Sequence, residues 1–209
     1  MASAGAKAHA LAAFLGVDGM QARVSRIAQA IETVISAHRK TLQGWAAGKY
    51  ERVVYLGSAV LKGLAREAAL KLLELTDGQT MSAWESPLGF RHGPKTIVND
   101  KSLVVIFVSN DPYTRRYDLD LLEEIRRDGA AAGLLAISAS EEGIAGEVKR
   151  ILVPCMNDAE DVDLLFPFLA AAQIFAFEAS LACGNSPDNP NRTGTVHRVV
   201  QGVRIHAVA

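Results

Sequence analysis

The chain has little of what would mark a secreted, redox-active or metal-binding protein. It holds two cysteines, Cys155 and Cys183, far apart and with no CxxC or Cys/His spacing. That excludes a disulfide framework and fits buried thiols in a reducing compartment. The five histidines, His9, His38, His92, His197 and His206, never fall four residues apart, so no helical metal pair is supported. An excess of one charge is missing too: 22 Lys and Arg against 23 Asp and Glu leave a formal charge of -1. Such a chain has no global basic surface for nucleic acid, and an anionic substrate must be held by local donors. The sequence also lacks GxGxxG, GxxxxGK[ST] and GxSxG, which removes the main support for dinucleotide, nucleotide triphosphate and hydrolase readings.

Membrane and export signals are weak. The start, MASAGAKAHALAAFLG, lacks a continuous apolar run with a basic lead, so a signal peptide is not expected. Leu164–Cys183 is long enough to cross a bilayer but carries Pro167, Gln173 and Glu178, which points to a core helix instead. A cytoplasmic protein with neither membrane nor nucleic acid as partner is the expectation.

What is present is an ordinary globular composition, 49% hydrophobic and 22% charged over 209 residues, enough for one full core. Met20–Ala47 carries Val24, Ile27, Ala28, Ile31, Val34 and Ile35 at helical spacing. The β-branched run Arg52–Leu56 leads through Gly57 and Ser58 into a helix over Val60–Leu75. Further strands are expected at Thr80–Trp84, Leu103–Ser109, Gly133–Ser138 and Arg150–Pro154, with helices at Tyr113–Asp128 and Val162–Cys183. Glu85–Lys95, broken by Pro87, Gly89, Gly93 and Pro94, reads as an irregular loop, and the apolar stretch Val196–Val208 as a tail that docks back. Alternating strands and helices predict an α/β fold with a parallel sheet covered on both faces: a helical segment over 1–48, then a domain over 49–209. Active sites of such folds gather at the carboxyl ends of the strands.

Three places have the residue types for chemistry. Glu67, Lys71 and Glu74 share one face of a helix, a pattern also common in solvated ion-pair stripes. The loop SPLGFRHGPK, Ser86–Lys95, flanks His92 with Arg91 and Lys95, a combination suited to binding an anion and shuttling a proton near neutrality. Ser58 opens a helix, where it serves as an N-cap or helps free amides hold a phosphate. In Ser109–Asp118, Asn110, Thr114, Arg115 and Arg116 stand at another strand end. Ser109, Asp111 and Pro112 there are good turn and cap residues, and the arginine pair could still reach a phosphate or a neighbouring subunit.

LGSAVLKGLAREAALKLLEL, SPLGFRHGPK and SNDPYTRRYDLDLLEEIRRDG together resemble the sugar-isomerase (SIS) domain family. The likeness is to the carboxyl-terminal SIS module of AgaS-type tagatose-6-phosphate ketose/aldose isomerases and galactosamine-6-phosphate deaminases, from about Met20 onward. It implies a three-layer αβα sandwich around a five-stranded parallel sheet preceded by a long helix, a homodimer or higher oligomer, and no metal or organic cofactor. It also implies catalysis by Glu74 as a base whose pKa is raised by burial, by Lys71 beside the developing oxyanion, and by His92 in ring opening. Ser58, Ser86, Arg91 and Lys95 are the expected substrate contacts. The substrate implied is a sugar or amino-sugar 6-phosphate. The Ser/Thr-rich loop with which the family's first module grips the phosphate does not occur, and Ala8–Leu15 resembles the linker between modules. The chain is therefore expected to correspond to the second module, with a separate amino-terminal SIS half as a further partner. A sugar-phosphate-binding module without turnover is the alternative.

Overall fold

A computed structural model describes residues 11–191 together with 194, 202 and 204–206. His9, His197 and most of the 196–208 tail lie outside the described residues. Residues 204–206 of that tail are exposed, Ile205 at 91%, so this stretch does not dock on the domain.

The described chain runs α1 (Met20–Ala46), β1 (Arg52–Gly57), α2 (Val60–Leu75), β2 (Met81–Glu85), α3 (Pro87–Arg91), a 3-10 turn (Pro94–Ile97), β3 (Ser102–Phe107), α4 (Pro112–Asp128), β4 (Gly133–Ser138), β5 (Lys149–Leu152) and α5 (Asp161–Ala182). All strands are parallel, in the order β2-β1-β3-β4-β5. The expected three-layer sandwich is thus present. Every residue of β3 is buried, as befits an unalternating apolar run covered on both faces.

The strand order determines which face each connection takes. The β1–β2 connection moves outward and the β2–β3 connection moves back across β1. Right-handed crossovers in opposite directions lie on opposite faces. Leu61, Leu64, Ala68 and Leu72 of α2 accordingly pack with Val53, Tyr55 and Val105, in a core shared with α1 and α5. Phe90, Ile97 and Val98 pack on the other side with Val54, Leu56, Val104 and the buried side of α4.

On the first face the rings of Tyr55, Phe107 and Phe168 stack at 6.1 and 6.0 Å between centroids. Helix α5 is long and apolar enough to span a membrane. Here Leu164, Phe168, Ala171, Ala172, Phe175 and Ala176 are buried in the protein core, the outcome its internal Glu178 suggested. Glu178 is itself buried and is met by Arg39 Nε at 3.1 Å and Gln43 Nε2 at 3.0 Å from α1. A buried carboxylate needs such partners, so the long amino-terminal helix is clamped to α5 by charge as well as by Ile27, Val34 and Leu42.

Element ends depart from expectation by one or two residues, as fraying termini do. The larger departure is α3, inside the segment expected to be irregular. Pro87 occupies its first turn, where a missing N–H costs nothing, and Ser86 Oγ accepts the Gly89 N–H at 3.1 Å. The thiols are not buried as expected: Cys155 is exposed and Cys183 half-buried.

Candidate active site

The turn after β1 is tightly built. A Cβ on Gly57 would sit 2.4 Å from the Leu61 carbonyl oxygen, so only glycine fits. Ser58 is not the helix cap, contrary to one expectation. Ala59 holds that position at φ 47°, ψ -122°, a conformation that a Cβ makes costly. Relief of that strain exceeds the entropy cost of glycine. Ala59→Gly is therefore expected to raise the unfolding free energy by about 1 kcal/mol in urea titrations. A loss of stability would show that the turn is relaxed with alanine.

The Ser58 hydroxyl is engaged elsewhere: it donates to Asp118 Oδ1 of α4 at 2.5 Å. The other oxygen of Asp118 accepts the Ser109 N–H at 2.9 Å. Burial pushes the Asp118 carboxyl up to about 6, against the opposing pull of these two bonds. The Ser109 hydroxyl and the Asn110 N–H donate to the two oxygens of Asp161, at 2.5 and 2.7 Å. Arg115, expected to reach outward for a phosphate or a subunit, is buried. It donates to the carbonyls of Ser109, Ser140 and Glu142 at 3.1, 3.0 and 2.7 Å.

The opposite end of α2 carries the expected Lys71–Glu74 pair. Lys71 Nζ lies 2.7 Å from Glu74 and 4.0 Å from Glu67. The expected burial of Glu74 is absent, since half of its side chain is exposed in this single chain. The pair lines a cleft of about 710 Å³ whose far wall is Pro187–Asn191, the segment after α5. That wall is tied down by Asn185 Nδ2 donating to the Leu75 carbonyl at 3.3 Å and by Asn191 Nδ2 donating to Asp77 at 2.8 Å. The tail was readable only as a Pro- and Asn-rich stretch. Nothing in its composition says that it faces Glu74.

His92 is exposed at the end of α3. Arg91 Nε pairs with Glu124 at 2.7 Å, and Lys95 with Glu124 and, at 2.9 Å, with Asp128. These two cations, expected to bind an anion, are thus neutralised by α4. Ser86 is occupied as the α3 cap. Above all, α2 and the His92 segment pack on opposite faces of the sheet. One chain does not bring Glu74 and His92 into one site.

No family model matches the chain. It is 51% identical over 178 residues to the D-galactosamine-6-phosphate deaminase AgaS of Escherichia coli, covering 85% of this chain and 46% of that protein. The corresponding Shewanella protein is 47% identical over 156 residues, 75% of this chain and 38% of its own. Among solved structures, the tagatose-6-phosphate ketose/aldose isomerase of Escherichia coli superposes with a TM-score of 0.74 at 42% identity, over 85% of this chain and 47% of that one. A Clostridium novyi protein provisionally named as such an isomerase gives a TM-score of 0.86 at 38% identity, over 93% and 51%. The chain spans about half the length of the relatives it matches. Over about half of their length the AgaS proteins are thus similar in sequence to this chain, and its five-stranded parallel sheet shares the fold of the tagatose-6-phosphate isomerase structures.

Proposed function

We propose that the chain is the part of an aldose–ketose isomerase or deaminase that carries the proton-transferring base, acting on a sugar or amino-sugar 6-phosphate in the cytoplasm. The observation that carries this reading is the Lys71–Glu74 pair lining the cleft walled by Pro187–Asn191. The names of its relatives, a galactosamine-6-phosphate deaminase and a tagatose-6-phosphate isomerase, support the substrate class.

In an opened amino sugar, Glu74 takes the proton from C2 and returns it to C1, a second proton passes from the C2 amine to the oxygen at C1, and Lys71 offsets negative charge on that oxygen meanwhile. The product is an imine at C2; water adds to it and ammonia leaves, giving the ketose. With a hydroxyl at C2 the same proton transfer interconverts aldose and ketose. Ring opening requires a separate acid/base group for the ring oxygen, the role suited to His92.

Because the sheet separates Glu74 from His92 within one chain, a site using both draws them from two copies, and the enzyme works as a homodimer or larger assembly. Mixing Glu74→Gln and His92→Asn chains, each inactive, is expected to restore about a quarter of parent activity. Half the random dimers are mixed, and each of those has one intact site of two. No recovery in a mixture shown to exchange subunits would refute the shared site.

The substrate test is ammonia release from galactosamine 6-phosphate and ketose–aldose interconversion of tagatose 6-phosphate. Both are measured with the chain alone and with the half of an AgaS relative that this chain does not span added. Activity on adding that half is the expected result. Saturable binding of both sugars without turnover, in both mixtures, would overturn the enzyme reading in favour of a binding module.

A further inference from the structure

The carboxyl ends of β1 and β3 form the crevice where open α/β sheets of this kind take ligands, because the helices that follow these two strands depart to opposite faces. In this chain the crevice contains a convergent set of donors. The backbone amides of Ser109 and Asn110 are consecutive; the Ser58 hydroxyl converges with the Ser109 N–H on one carboxylate, and the Ser109 hydroxyl with the Asn110 N–H on a second. Successive amides with hydroxyls beside them are the donor set of an oxyanion site. Each of these donors already ends on a carboxylate oxygen: Ser58 Oγ and Ser109 N on Asp118, Ser109 Oγ and Asn110 N on Asp161. The guanidinium of Arg115 lies behind them, interacting electrostatically with both carboxylates. It is buried, and its Nε has no hydrogen-bond partner among the described residues.

We infer that Asp118 and Asp161 act as a built-in anion that fills the ligand crevice of this domain and keeps phosphate out of it. Three features carry the inference: the location, the donor set, and the complete use of that set by two acidic side chains. Substrate phosphate must then be gripped by donors outside this crevice, on a second copy or on the half of the relatives that this chain does not span. The crevice serves instead to tie the strained β1 turn to α4 and α5. Negative charge and occupied donors act together here. A phosphate would have to displace both carboxylates and then sit beside them.

The test titrates inorganic phosphate at pH 7.5 into the isotope-labelled chain while the Ser109 and Asn110 amide resonances are followed. Wild type is expected to show no saturable shift at either amide. The double variant Asp118→Ala/Asp161→Ala is expected to gain saturable shifts at both. Asp161→Ala alone, which leaves the fully buried Asp118 in place, is expected to gain a smaller shift at Asn110, and it decides the matter if the double variant does not fold. Saturable shifts in wild type would overturn the proposal, as would folded variants that remain silent to phosphate. No arm depends on turnover, so failure here leaves the reading of the Lys71–Glu74 cleft standing.

Discussion

Glu74→Gln is expected to lower turnover of an (amino)sugar 6-phosphate by about 10²–10⁴-fold, the usual contribution of a positioned general base. Glutamine keeps the size and the hydrogen-bonding reach of the side chain but cannot accept the proton from C2. An interaction made only as the proton moves is lost only in the transition state, so the loss is expected in kcat with KM little changed. Glu74 is half exposed and its ion pair with Lys71 is a surface one. Stability should therefore stay within about 0.5 kcal/mol of the parent. The assay is deuterium incorporation at C1 from heavy water, with the half of a relative that this chain does not span present. It reports the proton transfer itself and is blind to later release of ammonia. Incorporation at the parent rate in the variant would remove Glu74 from the chemistry.

A second large effect concerns pH and stability. Asp118 is fully buried, and its carboxyl is pushed up to about 6 from its ordinary 3.8, chiefly by desolvation. A raised folded-state pKa means that the folded protein holds this proton more tightly than the unfolded chain does. The stabilisation is complete below pH 4 and disappears as pH rises through 6. At 1.36 kcal/mol per unit, the loss by pH 7.5 is about 3 kcal/mol. Other carboxylates act in the reverse sense. Glu85 is held low mainly by Lys62, Glu123 by Arg126 and Glu124 by Lys95. Their stabilising contribution is lost as pH falls, so the pH profile of the parent alone cannot isolate Asp118.

Comparison with Asp118→Asn removes the common background. Asparagine does not titrate, its Oδ1 can accept the Ser109 N–H, and the Ser58 hydroxyl can turn to accept from the amide. The stability difference between variant and parent, from urea unfolding, is expected to grow in the variant's favour by about 3 kcal/mol between pH 4 and 7.5. A difference independent of pH would show that Asp118 ionises normally.

Much of the scaffold was legible because its signals are local. The β-branched runs at 52–56 and 103–107 and the helical spacing in 60–75 define their elements within a residue or two. Lys71 and Glu74 are neighbours by helical spacing alone, so their ion pair needed no tertiary information. Helix α3 was less visible because five residues containing Pro87 and Gly89 look like a break. The Ser86–Pro87 start signal was nonetheless present.

The sequence by itself determined the parallel α/β fold, from alternating strands and helices, the Lys71–Glu74 pair, from spacing within one helix, and the likeness to sugar isomerases, from three short motifs. Only the tertiary structure decided what faces what. Asp118 reads as one more charge on a helix until packing carries it to Ser58, sixty positions away. Pro187–Asn191 reads as a tail until it closes the cleft at Glu74. His92 and Glu74, eighteen positions apart, are parted because strand order and right-handed crossovers send their segments to opposite faces of the sheet. Strand order is a property of the whole packed sheet, so no local pattern encodes it.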